Sequence, residues 1–319
     1  MKKYQNIIKS RTPFFIVSIF DTCNLIIKLL SKRHKLTKEY DFNHPFFIIG
    51  SGRSGNTLLR SLLVAGEQVS IPPESYVLPR IYRRYKMLSF LNWDILSSII
   101  ISEFEAYKEF YTWEVNLYKA HQKSRNFRKE EKSLAHILNA VYLTYIEAEG
   151  LNTKRWGDKT PINTIFIDKI AKIFPKAQYI HIVRDPRDVV CSYVKANLYD
   201  NYLEALRFWE LANLKAEALK KMIPASNFLQ LKYEDLVTNP EQELKRVCFF
   251  LNLEYTPKML LFWQNKDSLG DVKYNEHHNN IGNPINSTSI GKWKGKLTKD
   301  EVTLIESKAY SLMKKYNYS

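Results

Sequence analysis

The stretch that decides the fold is residues 44–57, which read HPFFIIGSGRSGNT. Its first half, 44–50, is almost entirely apolar, which is typical of a strand buried on both faces of a parallel sheet. Its second half is a glycine-rich turn, and leucines recur at helical spacing from about residue 57 to 65. Backbone N–H groups in such a turn and at a helix N-terminus bind phosphate oxygens. The stretch therefore predicts an anion-binding loop between a strand and a helix.

The loop differs from the phosphate loop of nucleoside triphosphatases at one position. Residues 50–57 follow the spacing GxxxxGK[ST], but Asn56 stands where the lysine is expected. A kinase uses that lysine to reach the β- and γ-phosphates, so nucleoside triphosphate chemistry is disfavoured. A different cation, Arg53, lies inside the turn. A glycine-rich turn without function is the simpler alternative.

Predicted strands and helices alternate along the rest of the chain. The pattern predicts strands at 178–183 and 227–231, helices at 202–222, 240–252 and 298–316, helical periodicity over 76–150 and a long loop over 266–296. Asp185 and Pro186 are typical of an N-cap and a first helical position, so a helix is expected to begin there. Because alternating strands and helices build parallel sheets, we expect an α/β fold, a P-loop-like parallel sheet flanked by helices.

The composition is that of a folded protein with an uneven distribution of charge. The chain has 319 residues, 45% hydrophobic residues and a formal net charge of +15. The first 40 residues contain nine basic and two acidic residues, a net charge of +7. This concentration argues against a general nucleic-acid surface and favours a basic N-terminal arm and a pocket for an anionic ligand. Three scattered cysteines and seven histidines without ligand spacing predict a reduced, metal-free protein.

The N-terminal arm has a second feature, an amphipathic pattern over residues 13–30. Ile16, Phe20, Cys23, Ile27 and Leu30 repeat at helical spacing, while the polar residues fall on another face. We expect a helix that lies on an anionic membrane or on the protein's own surface; a signal anchor and a cleaved signal peptide are the alternatives. The expected organisation is a basic arm at 1–42 and a single domain at 43–319, in a cytoplasmic protein that can associate with membranes.

Four segments resemble one enzyme family, the sulfotransferases that use 3′-phosphoadenylyl sulfate (PAPS). FIIGSGRSGNTLLRSLL resembles their 5′-phosphosulfate loop, and IHIVRDPRDVVCSY resembles their 3′-phosphate motif. LKYEDLVTNPEQELKRVCFFLNL is similar to a later strand and helix, and SIGKWKGKLT to the loop that covers the nucleotide. The segments lie in family order. The runs ESYVLPR and WGDKTP look most like the tyrosylprotein and glycan sulfotransferase branch.

The resemblance implies two anion sites for PAPS. The loop residues would hold the 5′-phosphosulfate: Gly52, Arg53, Ser54, Gly55, Asn56 and Thr57. Arg184 and Ser192 would hold the 3′-phosphate, and an arginine fork suits that task. Lys292 and Trp293 would close over the nucleotide by charge and by stacking on adenine, with Tyr233 and Trp156 as further candidates. A core position is the alternative for each aromatic residue.

The resemblance also assigns the catalytic groups. Sulfuryl transfer needs a base near the attacking hydroxyl and cations near the bridging oxygen of the leaving phosphate. Glu74 occupies the place of the family's base, while Lys159 and Arg53 are the cations. The sequence departs from the branch at Pro73, beside which a second acidic residue is usual, and at Asn56, where threonine is commoner.

The resulting functional hypothesis is a PAPS-dependent sulfotransferase without a metal, acting on an acceptor hydroxyl. A carbohydrate or lipid-linked glycan is the expected acceptor, and residues 76–150 are expected to form its pocket. The alternatives are a protein-tyrosine sulfotransferase, a P-loop kinase and a nucleotide-binding module without catalysis. No nucleic-acid partner is expected.

Overall fold

The computed structural model describes residues 33–39, 42–153, 155–268 and 282–318, together with six helical positions between 16 and 26. The described strands are β1 (Phe46–Ile49), β2 (Gly157–Asp158), β3 (Gln178–Val183) and β4 (Phe228–Lys232). All pair in parallel in the order β2-β1-β3-β4. The parallel sheet predicted from the sequence is thereby confirmed. Strand β2 was not predicted.

Helices precede, separate and follow these strands. The described α-helices are α1 (Asn56–Val64), α2 (Leu78–Leu88), α3 (Trp93–Glu105), α4 (Tyr118–Arg125), α5 (Leu134–Ala148), α6 (Ile167–Ile173), α7 (Pro186–Lys195), α8 (Tyr202–Met222), α9 (Tyr233–Thr238), α10 (Pro240–Leu251) and α11 (Lys299–Lys315). Short 3-10 helices lie at Phe110–Trp113, Pro161–Phe166, Ala225–Asn227, Pro257–Ser268 and Lys292–Gly295. The helix start predicted at Asp185 and Pro186 is confirmed, since Asp185 caps α7 by accepting a hydrogen bond from the Arg187 backbone N–H.

The two faces of the sheet belong to different apolar cores. In β1, Phe46 and Ile48 pack on one side with α1, α9 and α10, while Phe47 and Ile49 pack on the other with α2 to α6. This alternation follows from the two-residue period of a strand. A third cluster joins α7, α8 and α11. The sheet therefore has helices on both sides. The loops at the carboxyl ends of its strands are left to form a site at that edge.

Part of the predicted N-terminal arm packs on the domain. Lys35 forms a bridge with Ser133, the Leu36 carbonyl accepts a hydrogen bond from the Ala135 N–H at 3.0 Å, and the Tyr85 hydroxyl donates to the Lys35 carbonyl at 2.9 Å. These hydrogen bonds connect residues 33–39 to the helical layer, so this part of the predicted arm packs against the predicted domain.

The amphipathic segment at 13–30 lies mostly outside the described residues. The six described positions, at 16, 18, 19, 22, 23 and 26, are helical and exposed. No helix within the described part of the chain is long and apolar enough to cross a membrane. Membrane contact and a cytoplasmic location stay predictions, and residues 269–281 of the loop predicted over 266–296 are not among the described residues.

Gly50 provides a test of how β1 enters the loop. Its φ is +144°, and a Cβ there would overlap the Ile182 carbonyl oxygen of the neighbouring strand, which is fixed by the sheet. Gly150 also has a positive φ, +67°, but nothing lies within 4 Å of its Cβ position. Gly150→Ala should lower the free energy of unfolding by about 1–2 kcal/mol, because of the backbone conformation alone. Gly50→Ala should lower it by roughly 1–3 kcal/mol more, because the new Cβ also overlaps the Ile182 carbonyl. Denaturant unfolding of both variants measures the difference, and equal losses would contradict the packing described here.

Candidate active site

The loop between β1 and α1 is fixed by its own polar groups. The Asn56 amide donates to the Ser51 carbonyl at 2.8 Å, and the Ser51 and Ser54 hydroxyls are 2.7 Å apart. The Gly50 N–H donates to the Thr164 hydroxyl at 2.9 Å. Asn56 thus closes the loop from within, at the position where a kinase carries lysine. Ser54 is buried and points its hydroxyl into the loop, so its contribution to an anion site is limited to the backbone.

Gly55 allows an aromatic ring to lie directly against this loop. Its φ is +97°, and a Cβ would come within 2.5 Å of the Tyr233 ring. Tyr233 begins α9, directly after β4, and the Arg184 guanidinium lies 4.3 Å from its ring centroid. Tyr233 thus contacts the loop on one side and a cation on the other. This position next to both predicted anion sites agrees with its predicted nucleotide contact.

A cluster of donors joins the loop to the end of β3. Arg184 donates from Nη1 to the Arg53 carbonyl at 2.9 Å and from Nη2 to the Ser289 carbonyl at 2.6 Å. Arg53 donates from Nε to the Ser192 hydroxyl at 3.1 Å. Within the described part of the chain, the buried Nε of Arg184 has no hydrogen-bond partner. The predicted partners Arg184 and Ser192 therefore lie together, with a donor available for an anion.

Burial makes this cluster a favourable place for negative charge. Desolvation lowers the pKa of Arg53, and the neighbouring charge of Arg184 lowers it further. Because Arg184 is buried and Arg53 is partly buried beside it, their charges repel each other, and an anion between them would be stabilised by both. Cys191 also lines this region, but burial raises the pKa of its thiol to about 11, so it stays protonated and unreactive at neutral pH.

On the other side of the loop, a buried lysine connects it to Glu74. The Lys159 side chain is fully buried. Its Nζ forms an ion pair with Oε1 of Glu74 and donates to the Thr57 hydroxyl at 3.2 Å. Lys159 follows β2, and Glu74 follows the stiff pair Pro72-Pro73. The predicted base and cation are therefore in direct contact, next to the first turn of α1.

The loop that carries Glu74 has its own anchor. Arg60 of α1 is fully buried and donates from Nε to the Ile71 carbonyl at 2.8 Å, three residues before Glu74. Asp158, next to Lys159, is also buried and accepts hydrogen bonds from Tyr142 at 2.7 Å and Asn163 at 2.8 Å. Burial raises the pKa of Asp158. These contacts fix the backbone on both sides of the Glu74–Lys159 pair.

A cavity of about 920 Å³ reaches the loop, Glu74 and Arg184, whereas the fully buried Lys159 does not line it. Predicted site residues that line it are Gly52, Arg53, Gly55, Asn56, Thr57, Glu74, Arg184, Ser192, Tyr233 and Lys292. Among the residues that the structure describes, no group of histidine, cysteine, aspartate and glutamate side chains could hold a metal ion. The cavity wall also contains aromatic residues that the sequence analysis did not identify: Tyr76, Tyr193, Tyr199 and Phe208.

Two predicted aromatic contacts differ from the structure. Trp156 is fully buried and stacks on Tyr142 with ring centroids 4.0 Å apart, so it is a core residue and not a nucleotide contact. Trp293 does not line the cavity, because its ring lies over the Arg187 guanidinium at 4.2 Å. Its neighbour Lys292 does line the cavity. The charge contact of Lys292 with the nucleotide stays a prediction, and in this structure the Trp293 ring lies on Arg187 and not in the cavity.

Asp188 is a residue of this site that sequence reasoning missed. Its carboxylate accepts hydrogen bonds from the Gly291 N–H at 2.7 Å and the Trp293 N–H at 3.0 Å. It thus ties the C-terminal loop to α7, and Arg184 ties the same loop through Ser289. Its position in the run RDPRD, one turn after Arg184, was the available signal.

The family follows from comparison with known proteins. Residues 45–257, more than half of the chain, match the sequence profile described as the sulfotransferase family. The chain belongs to the sulfotransferase family. This membership confirms the family and the enzyme class predicted from the four motifs, and it overrides the kinase alternative.

Individual relatives are distant but cover most of the chain. Protein-tyrosine sulfotransferase 1 of Danio rerio is 25% identical over 320 residues, covering 92% of this chain and 82% of that protein. Protein-tyrosine sulfotransferase A of Caenorhabditis elegans is 24% identical over 284 residues, covering 85% of this chain and 66% of that protein. The sulfotransferase domain from the Synechococcus PCC 7002 olefin synthase matches with a TM-score of 0.58 at 23% identity, covering 88% of this chain and 99% of that domain. The last match confirms the fold.

The Asp188 contacts lead to a test of loop anchoring. Asp188→Asn replaces one acceptor oxygen with an amide that cannot accept, and it removes the charge. A hydrogen bond to a charged group contributes about 1.5–3 kcal/mol. We therefore expect amide exchange at Gly291 and Trp293 to accelerate about tenfold or more, measured by hydrogen exchange. The exposed Asp200→Asn serves as the control, and unchanged exchange in Asp188→Asn would show that the carboxylate does not hold the loop.

Proposed function

We propose that this protein transfers the sulfuryl group of PAPS to an acceptor hydroxyl and releases adenosine 3′,5′-bisphosphate. The observation that carries the proposal is the contact of Glu74, Lys159 and Thr57, which joins a base, a buried cation and the anion loop. The family membership of residues 45–257 supports the same reaction. PAPS supplies the activated sulfuryl group, and the protein binds it, orients it and moves the proton.

The donor set fits a nucleotide with two separate anionic ends. The loop backbone, Arg53 and the Thr57 hydroxyl suit the 5′-phosphosulfate. Arg184, whose buried Nε has no partner in the described part of the chain, and Ser192 suit the 3′-phosphate. The absence of a loop lysine is consistent with a ligand that has no γ-phosphate.

The reaction assigns one task to each side of the Glu74–Lys159 pair. Glu74 accepts the proton of the acceptor hydroxyl while the oxygen of that hydroxyl forms a bond to sulfur. The bond from sulfur to the bridging oxygen breaks, and its electrons stay on the phosphate. Lys159 and Arg53 stabilise the charge that develops there. Because Lys159 contacts both Glu74 and Thr57, the base and the leaving-group side are fixed relative to each other.

A tyrosyl phenol is the first candidate acceptor. The Danio rerio and Caenorhabditis elegans relatives are named as protein-tyrosine sulfotransferases. The aromatic wall with Tyr76, Tyr199 and Phe208 suits a ring. A phenol has a pKa of about 10, so it gives its proton to a carboxylate more readily than a sugar hydroxyl does.

A hydroxyl on a carbohydrate or lipid-linked glycan, the acceptor expected from the sequence, is the second candidate. Glu109 and Thr112 line the same cavity and give it polar groups that a sugar could use. The discriminating experiment incubates the protein with PAPS and sets of tyrosyl peptides and glycans, and identifies sulfated products by mass spectrometry. Sulfation of glycans alone would reverse the order of the candidates, and no transfer to any hydroxyl would contradict the proposed function.

Glu74→Gln tests the proposed base. Glutamine keeps the size of the side chain but cannot take the proton, so turnover should fall about 10²–10⁴-fold. The affinity for adenosine 3′,5′-bisphosphate should stay within about threefold, which is about 0.65 kcal/mol. Steady-state kinetics and calorimetry measure the two quantities, with the exposed Glu241→Gln of α10 as the control. Near-normal turnover would remove Glu74 from the mechanism.

Arg184→Ala tests the proposed 3′-phosphate site. The variant removes a buried cation, so the affinity for adenosine 3′,5′-bisphosphate should fall by roughly 2–4 kcal/mol. Because Arg184 also holds the Ser289 carbonyl, adenosine 5′-phosphate should lose some affinity too, but at least tenfold less. Exposed Arg207→Ala is the control. Equal losses for both nucleotides would show that Arg184 does not read the 3′-phosphate.

A further inference from the structure

Both carboxylate oxygens of Glu74 have donors in this structure. Oε1 pairs with Lys159 Nζ, and Oε2 accepts a hydrogen bond from the Tyr76 hydroxyl. The mechanism above uses Lys159 and the ring of Tyr76, as part of the aromatic wall, but it gives the Tyr76 hydroxyl no task. Tyr76 is 45% exposed, and it lines the same cavity as Glu74. It therefore stands on the side from which an acceptor hydroxyl must approach.

The Tyr76 ring is fixed by its surroundings. Its backbone has a φ of +53°, an uncommon conformation for a bulky residue that the neighbouring structure must maintain. The ring stacks on Tyr107 with centroids 6.0 Å apart and an interplanar angle of 29°. The Tyr107 hydroxyl in turn donates to Oε2 of Glu109 at 3.0 Å. The Tyr76 hydroxyl is thus held next to Glu74 by contacts that run through Tyr107 to Glu109, which lines the cavity.

The Tyr76 hydroxyl is a permanent donor. Desolvation and the negative charge of Glu74 raise the pKa of the Tyr76 phenol, so it keeps its proton at every working pH. A carboxylate offers about four lone-pair positions on its two oxygens. Lys159 and Tyr76 take two of these positions, and in the proposed reaction an acceptor hydroxyl would use another. The two donors fix the plane of the carboxylate while leaving it able to accept a proton.

We propose that Tyr76 is a positioning residue for the base: its hydroxyl holds Oε2 of Glu74 so that the carboxylate faces the acceptor hydroxyl. The proposal rests on the proposed function, in which Glu74 is the base. Tyr76 itself neither binds the donor nor takes the proton. Tyr76 contributes by orienting the carboxylate. Loss of its hydroxyl should therefore slow transfer most for acceptors that depend most on the base.

Tyr76→Phe is the direct test, because phenylalanine keeps the ring, the stack on Tyr107 and the backbone conformation. The variant is compared with wild type across phenols of decreasing acidity, from p-nitrophenol, which ionises without help, to p-cresol. With p-cresol, kcat should fall about tenfold or more, as expected for a lost hydrogen bond to a charged group. With p-nitrophenol, the loss should be threefold or less. KM and the affinity for adenosine 3′,5′-bisphosphate should be unchanged, and exposed Tyr118→Phe is the control.

A second measurement does not depend on any added acceptor. Slow hydrolysis of PAPS by the protein uses water as the acceptor, and this also needs the base, so Tyr76→Phe should slow it. Combining Tyr76→Phe with Glu74→Gln should cause no further loss, because the hydroxyl then has no carboxylate to orient. Equal loss for all phenols, or additive loss in the double variant, would overturn the positioning role.

The outcomes also separate this inference from the function on which it rests. If Glu74→Gln reduces turnover and Tyr76→Phe does not, the base stands and the positioning role is wrong. If Glu74→Gln has no effect, the assignment of the base fails first, and the positioning role fails with it. If Tyr76→Phe acts only on p-cresol and water, and only when Glu74 is present, both assignments are supported.

Discussion

The burial of the Lys159 ammonium is the constraint on which the site depends. A fully buried cation is stable only when its donors are satisfied, and losing one partner of such a pair is costly. Lys159 meets this demand with Glu74 and Thr57. The positions of the loop that carries Glu74 and of the first turn of α1 are therefore tied to one atom, Nζ. In the proposed reaction, the same atom links the carboxylate that takes the proton of the acceptor to the loop that holds the anionic charge.

The strand order explains why cations reach the anion loop from two directions. In a parallel sheet, loops at the carboxyl ends of neighbouring strands meet at one edge. With the order β2-β1-β3-β4, Lys159 follows the strand on one side of β1, and Arg184 follows the strand on the other side. The loop after β1 lies between them, as the proposed binding of two separate anionic groups requires. Glu74 forms its ion pair with Lys159, so the proposed base lies on the β2 side of this loop.

The sequence predicted most of the fold because its signals are local. Hydrophobic periodicity predicts the apolar strands β1 and β3 and the span of α8, and capping residues predict the start of α7 at Asp185-Pro186. Strand β2 could not be predicted, since Gly157 and Asp158 have weak strand propensity and become a strand only by pairing with β1. The motifs led to Glu74, Lys159 and Arg184. The contact of the Tyr76 hydroxyl and the core position of Trp156 depend on tertiary packing that no local pattern carries, whereas Asp188 had a local signal in the run RDPRD but its loop contacts did not.

The missing loop lysine has a structural explanation. In the sequence, Asn56 reads as the loss of a phosphate-binding cation, but in the fold its amide closes the loop on the Ser51 carbonyl. A lysine is nevertheless present at the loop, since Lys159 reaches Thr57 from β2. In a kinase, a lysine within the loop would reach the β- and γ-phosphates of a nucleoside triphosphate, whereas Lys159 pairs with the carboxylate of Glu74. In the proposed reaction, a cation that follows β2 instead of lying in the loop is in contact with the proposed base, so the base and the positive charge form one pair.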